Sequence, residues 1–313
     1  MDTRKPLDST AYALMLMLCL IWSLQQVAVK AIGDNMAPLL QIALRSGVAM
    51  LLVVGLMAWR KERFDWGGWR AGLLVGGLFA LEYLCVAEAL RQTSAAHTVV
   101  FLYTSPVFAA LGLHVQLPAE RLSRTQWVGI AIAFGGVAYA FLGGEASAAS
   151  AATRVSLQGD LLALAGGAAW GATTVAIRTT RLSAAAPNQT ILYQLAGAFF
   201  LLLPAAVLSG QTFFHPTPLV WASLMYQTFI MSFASLLAWF WLLRHYLASR
   251  LGVFTFLTPV LGVVLGALLL GEPLEPQFVA GALVVLLGVT VVSLHMVMVA
   301  PLRRWLARYR EMP

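Results

Sequence analysis

Glu82, with Tyr83 beside it, stands well inside an apolar run that extends from Trp69 to Leu90. If that run crosses a membrane, the carboxyl has to be protonated, paired or wetted, and intramembrane acids are functional candidates by default. Two roles are open to it: exchanging a proton as a coupling site, or pairing with a ligand ammonium. Earlier in the chain, Trp22, Gln25 and Gln26 are three and four apart, a spacing that stacks side chains on one helix face. Trp170, Thr173 and Thr174 repeat the pattern. Adjacent amides in an apolar run must hydrogen-bond to protein, water or ligand. Tyr226-Gln227 sets a phenol beside an amide, and Tyr103, Tyr193 and Trp239 add aromatic surface in other apolar runs. A few polar groups against an aromatic wall suit a small amphipathic ligand such as a zwitterion. The substrate-binding candidates are therefore Trp22, Gln25, Gln26, Glu82, Tyr83, Tyr103, Trp170, Thr174, Tyr226, Gln227 and Trp239.

Other polar residues read more plainly. Glu88 and Arg91 are three apart and predict a local ion pair. Arg45 has no obvious partner in its run, so either a carboxylate reaches it or it snorkels toward the outer face. His97 opens an apolar run and reads as an interface residue. The five histidines lack metal-ligand spacing, and no Gly-x-x-x-x-Gly-Lys-Ser/Thr loop offers a nucleotide site. No catalytic residues, cofactor, metal or ATP are expected.

The elements that hold these residues follow from composition. Of 313 residues, 60% are hydrophobic and 11% are charged, with mean hydropathy +0.81. Soluble chains carry about 25% charged residues, and the apolar runs here approach the roughly 20 residues needed to span a bilayer. An all-α polytopic membrane protein is predicted, and soluble enzyme classes are excluded. We place ten transmembrane helices near 11–32, 37–59, 69–90, 95–117, 125–143, 159–179, 187–208, 219–242, 248–270 and 276–298. Numbering the loops alternately puts 16 of the 20 Lys and Arg on one side, leaving Lys30, Arg45, Arg91 and Arg154 on the other. Positive residues stay in the cytoplasm, so both termini are expected there. The net charge of +7 then reflects topology and a lipid bilayer as partner rather than nucleic acid. Cys19 and Cys85 both fall in apolar runs, which argues against a disulfide framework.

The two halves of the chain match. Trp22 to Lys30 aligns without gaps with Trp170 to Arg178, Leu90-Arg91 with Leu243-Arg244, Phe101 with Phe254, and Pro106-Val107 with Pro259-Val260. Gly129 and Gly136-Val137 answer to Gly281 and Gly288-Val289, and Arg45 falls opposite Gln194. Five spans per half make the second repeat inverted, an arrangement typical of secondary transporters with a site near the midplane. The units are 1–145, a linker at 146–158, 159–298 and a basic tail at 299–313. Pro106 and Pro259 sit mid-span, where each removes an N–H and frees the carbonyl four residues earlier. They are expected to kink the two spans around a substrate path. Gly68, Gly72 and Gly76, then Gly262 and Gly266, form ridges for close helix packing.

With the Trp motif in each half and the sequences Glu120-Arg121-Leu122 and Gly271-Glu272-Pro273-Leu274, the chain resembles the EamA type of the drug/metabolite transporter superfamily, closest in character to its aromatic amino-acid exporters. The resemblance spans nearly the whole chain. It implies a ten-helix bundle with a central cavity in the bacterial inner membrane, exporting amino acids or related metabolites; alternating access by a monomer is the expectation that goes with it. Broad drug efflux is the alternative transport function. Related four-helix cation exporters use a glutamate in their first helix, and spans one and six here have none. An integral-membrane enzyme acting on lipid-like substrates is the alternative of another class, against which the loops are short.

Overall fold

The computed structural model describes residues 8–118, 121–142, 156–246, 251 and 254–310. Arg4, Lys5, Glu120 and most of the 146–158 linker lie outside the described residues, as do the side chains of the basic tail. Helices dominate: α1 Ser9–Ala31, α2 Pro38–Trp59, α3 Trp69–Gln92, α4 Ala95–Leu102, α5 Ser105–Gln116, α6 Arg124–Leu142, α7 Leu157–Thr179, α8 Pro187–Leu208, α9 Pro218–Met225, α10 Ser235–His245, α11 Leu257–Leu270 and α12 Pro276–Arg310. Their starts are written in the sequence. Asp8, Ser94, Ser156 and Thr217 each accept a hydrogen bond from a first-turn N–H. Pro38, Pro187 and Pro218 occupy first turns, where a missing N–H costs nothing. Gly271 ends α11 at φ 65°, a left-handed conformation that costs glycine little.

Among the described residues, eight helical stretches are long and apolar enough to cross a membrane, and α11 is a shorter apolar helix of 14 residues. Helices α6 and α11 fall at expected spans but outside those eight. Trp59, Trp66, Trp69 and Trp221 are exposed near helix ends, as interface anchors should be. Cys19 and Cys85 are free and buried, and the Cys19 thiol donates to the Phe254 carbonyl at 3.1 Å.

The closest packing joins elements from before and after the linker: α6 with α12, α3 with α7 and α8, α2 with α8, and α1 with α11. Small residues permit these approaches. A Cβ placed on Gly72 would fall 2.3 Å from the Tyr193 ring, and one on Gly262 2.8 Å from Val99. A Cβ on Gly197 of α8 would lie 2.3 Å from the Gly76 carbonyl oxygen of α3. Backbone cannot rotate aside as a side chain can. Gly197→Val should therefore destabilise the fold by about 1–3 kcal/mol or more, read as a lower unfolding midpoint in detergent and a smaller monodisperse peak. An unchanged midpoint would mean that the two helices separate without cost.

The prolines do more than kink. Near Pro106 the helix stops at Leu102, turns through Tyr103 and Thr104, and restarts at Ser105 with the proline in its first turn. The Thr104 N–H and hydroxyl both donate to the Phe101 carbonyl, at 3.2 and 2.6 Å. In α11, Pro259 is again in the first turn, and the Thr258 N–H donates to the Thr255 carbonyl at 3.1 Å. A new helix start absorbs the missing N–H more cheaply than an interior position does. The stretch between α9 and α10 is unexpected: Tyr226–Ala234 is a nine-residue π-helix. Its wider turn rotates what precedes it relative to a continuous α-helix.

Candidate functional site

Between the two parts of the chain lies a cavity of about 420 Å³. Helix α1 contributes Trp22, Gln25 and Gln26, and α3 contributes Phe79, Glu82 and Tyr83. The break between α4 and α5 presents Leu102, Tyr103 and Pro106; α7 presents Trp170 and α8 Gln194. Met231, Leu236 and Trp239 come from the π-helix and α10, and Thr255, Phe256, Pro259, Leu286 and Val289 complete the wall. The local spacing explains the convergence: residues three and four apart on α1, and Phe79, Glu82 and Tyr83 on α3, form one stripe each.

The aromatic wall is built of edge contacts. Trp22 meets Trp239 at 5.5 Å and Tyr103 meets Trp170 at 5.3 Å, both T-shaped. The Trp22 indole N–H donates to Ser235 Oγ at 3.2 Å, and Gln25 Nε2 donates to the Tyr83 hydroxyl at 3.2 Å. These bonds fix the rings and leave their apolar surface to the cavity. On the cavity wall Gln26 Oε1 and Glu82 Oε2 have no partner among the described residues, on residues only 3% and 4% exposed. A buried unpaired acceptor costs free energy that a ligand donor would recover. The cavity thus offers apolar area together with acceptors for an N–H-bearing group.

A second cavity of about 180 Å³ adjoins the first and shares Trp22, Phe79, Tyr83, Gln194 and Trp239 with it. Arg45 lines it, buried at 3% exposure instead of snorkelling outward. Its guanidinium carbon lies 4.8 Å from the Tyr83 ring centroid, and Nη1 donates to Gln227 Oε1 at 3.3 Å.

Of the residues expected in the site, Trp22, Gln25, Gln26, Glu82, Tyr83, Tyr103, Trp170 and Trp239 line the larger cavity, as do both prolines. Thr174, Tyr226 and Gln227 do not. Thr174 is exposed and its hydroxyl donates to the Trp170 carbonyl at 3.1 Å. Tyr226 donates to the Ile21 carbonyl. Gln227 is fully buried, donating to Gln41 Oε1 at 3.1 Å and Ser223 Oγ at 3.0 Å while it accepts from Arg45. The π-helix turns these last two residues onto α1 and α2. Phe79, Met231, Leu236, Phe256, Leu286 and Val289 also line the larger cavity, and in the sequence such apolar residues carry no mark that distinguishes them from packing residues. Gln194 had a signal, as the repeat counterpart of Arg45, and the two share the second cavity.

The expected Glu88–Arg91 pair is present at 2.8 Å, and Gln211 Nε2 donates to the other Glu88 oxygen at 2.6 Å. His97 is not at an interface: it is 5% exposed, with Nδ1 2.9 Å from Asp160 Oδ2 and its ring stacked on Phe278 at 3.7 Å. Thr93 Oγ1 donates to Asp160 Oδ1 at 2.6 Å, which ties α7 to the end of α3 and the start of α4. Nearby, Glu272 accepts from the Ala95 and Ala96 N–H groups at 2.7 and 3.0 Å and caps α4. Lys30 donates to the Leu90 and Thr93 carbonyls at the end of α3.

Known proteins match this chain along most of its length. The model of the EamA-like transporter family matches residues 9–142 and again 157–294. An uncharacterized protein of Pseudomonas aeruginosa is 30% identical over 251 residues, 80% of this chain and 82% of its own. An uncharacterized transporter of Bacillus subtilis, YoaV, is 24% identical over 86% of this chain and 92% of its own. A probable amino-acid metabolite efflux pump of Salmonella typhimurium is 24% identical over 88% of this chain and 92% of its own. One solved protein structure has the same fold, with a TM-score of 0.61 at 22% identity, covering 91% of this chain and 98% of that one.

Proposed function

Because the chain belongs to the EamA-like transporter family, we propose that it is a secondary exporter of amino acids with aromatic or bulky apolar side chains and of related small metabolites. The observation that carries this reading is the cavity of about 420 Å³ whose aromatic walls come from both parts of the chain, with two buried acceptors unpaired. A site at the junction of two repeats can open to either side as they rock. The two family matches, at 9–142 and 157–294, support units at 1–145 and 159–298, each of five spans and inverted with respect to the other. Ten spans in all, α6 and α11 among them, keep the basic loops on one side, which places both termini in the cytoplasm of a bacterial inner membrane. The helix breaks at Pro106 and Pro259 are the hinges of alternating access in this reading. The amino-acid efflux relative of Salmonella typhimurium supports the substrate class, as does the resemblance to the aromatic amino-acid exporter YddG. A concentration gradient or a proton drives transport, with Glu82 as the candidate coupling group and the protein acting as a monomer.

Uptake of labelled phenylalanine into proteoliposomes, with and without a pH gradient, tests the proposal. Trp22→Ala and Trp170→Ala should each lower uptake more than about tenfold, the effect of truncating an aromatic anchor worth about 2 kcal/mol. Folded protein in the membrane should fall far less. Normal uptake by both variants at matched expression would remove the cavity from the transport path.

A further inference from the structure

We infer that Arg45 forms a carboxylate subsite in the smaller cavity, so that the transported molecule is held as a zwitterion with its carboxylate on Arg45 and its ammonium toward Glu82 and Gln26. This rests on the transport reading above and names the chemistry of its substrate.

The guanidinium carries five N–H donors and a permanent charge, and it can accept nothing. Its partners are one amide oxygen at 3.3 Å and the side chain of Tyr83, whose ring and hydroxyl it approaches, and it forms no ion pair among the described residues. A buried cation is normally paired with an anion, because desolvation is otherwise uncompensated. Glu82, on the neighbouring helix, is the nearest candidate, yet its Oε2 has no hydrogen-bond partner. Guanidinium and carboxyl are therefore both buried, close to the same Tyr83, with no ion pair between them among the described residues. Each occupies its own cavity: Glu82 lines the larger and Arg45 the smaller, with Tyr83 as a common wall.

A guanidinium and a carboxyl set apart on the walls of adjoining cavities complement a ligand whose own charges are separated, the ammonium favouring the ionised carboxyl as it binds. A carboxylate accepts two parallel N–H bonds from a guanidinium fork, a geometry no lysine reproduces. The larger cavity then holds the ammonium against acceptors and the side chain against Trp22, Trp170 and Trp239. A monocarboxylate fits one cation in about 180 Å³. An amine without a carboxylate would leave Arg45 unpaired, so the pair also confers selectivity against simple cations.

The test is competition against labelled phenylalanine uptake in proteoliposomes, using phenylalanine, phenethylamine and 3-phenylpropionate. Wild-type protein should prefer phenylalanine to phenethylamine by about 10- to 100-fold, the range of a hydrogen-bonded charge. Arg45→Gln keeps an amide donor for Gln227 and should abolish that preference, with competition by 3-phenylpropionate lost as well. Arg45→Lys, which retains charge without the fork, should restore part of it. Equal competition by phenylalanine and phenethylamine in the wild type would overturn the subsite without any variant. So would an unchanged preference in folded Arg45→Gln. If wild-type protein takes up no phenylalanine and binds none of the three compounds, the transport reading itself fails and the subsite with it.

Discussion

Glu82→Gln is expected to lower phenylalanine uptake by about 10- to 100-fold while leaving the folded yield near that of the wild type. The substitution preserves shape and one acceptor oxygen but removes the charge that would face a substrate ammonium, and hydrogen bonds to charged groups are worth about 1.5–3 kcal/mol. The folded protein should tolerate it, because Glu82 Oε2 has no partner to lose among the described residues. Competition by 3-phenylpropionate, which has no ammonium, should be far less affected, and this separates a lost ligand contact from a damaged cavity. The variant also tests coupling. A glutamine does not titrate, so if Glu82 exchanges the coupled proton, uptake should become flat between mildly acidic and mildly alkaline pH. Wild-type rates and wild-type pH dependence in this variant would reduce Glu82 to a structural residue.

The largest effect on stability is expected at Asp160. Its carboxylate accepts from Thr93 and from His97 Nδ1, and all three side chains are buried. Asp160→Ala leaves both donors buried and unpaired at about 1–3 kcal/mol each, or about 2–6 kcal/mol together. Because the cluster joins α7 to the ends of α3 and α4, the unfolding midpoint in detergent should fall by many degrees. Asp160→Asn keeps an acceptor and should recover a substantial part of the loss. A midpoint within a degree or two of wild type for the alanine variant would show that water replaces the carboxylate without cost.

What could be read from the sequence divides along physical lines. Helix positions were legible because the length of an apolar run is a local property: the runs near 37–59, 95–117 and 187–208 are helices α2, α4 with α5, and α8. The α1 face of the cavity was legible for the same reason, since Trp22, Gln25 and Gln26 share a face whatever surrounds them. The prolines were located correctly, but the expected kinks are helix restarts, because the chain can place a proline in a first turn at lower cost than inside a helix. Tyr226 and Gln227 were misplaced because a phase drawn at 3.6 residues per turn does not survive nine residues of π-helix. His97 was misread because its partner Asp160 lies 63 residues away, and pairing at that distance leaves no trace in a single sequence. Arg45 was ambiguous until its depth was known. Composition says that an arginine is present, and only its burial beside a cavity says that it does not snorkel to the outer face.

The two cysteines have a consequence outside the transport path. Cys19 is fully buried with its thiol turned onto the Phe254 carbonyl, and Cys85 is buried in α3. Thiol reagents attack the exposed thiolate, and neither side chain presents one to water. The native chain is thus a nearly silent background for maleimide chemistry. A cysteine introduced at an exposed position such as Trp59 or Leu208 would be the dominant reactive thiol in the molecule. Sidedness can be mapped, and probes attached, without first removing Cys19 or Cys85 from positions where each fills space in the packed interior.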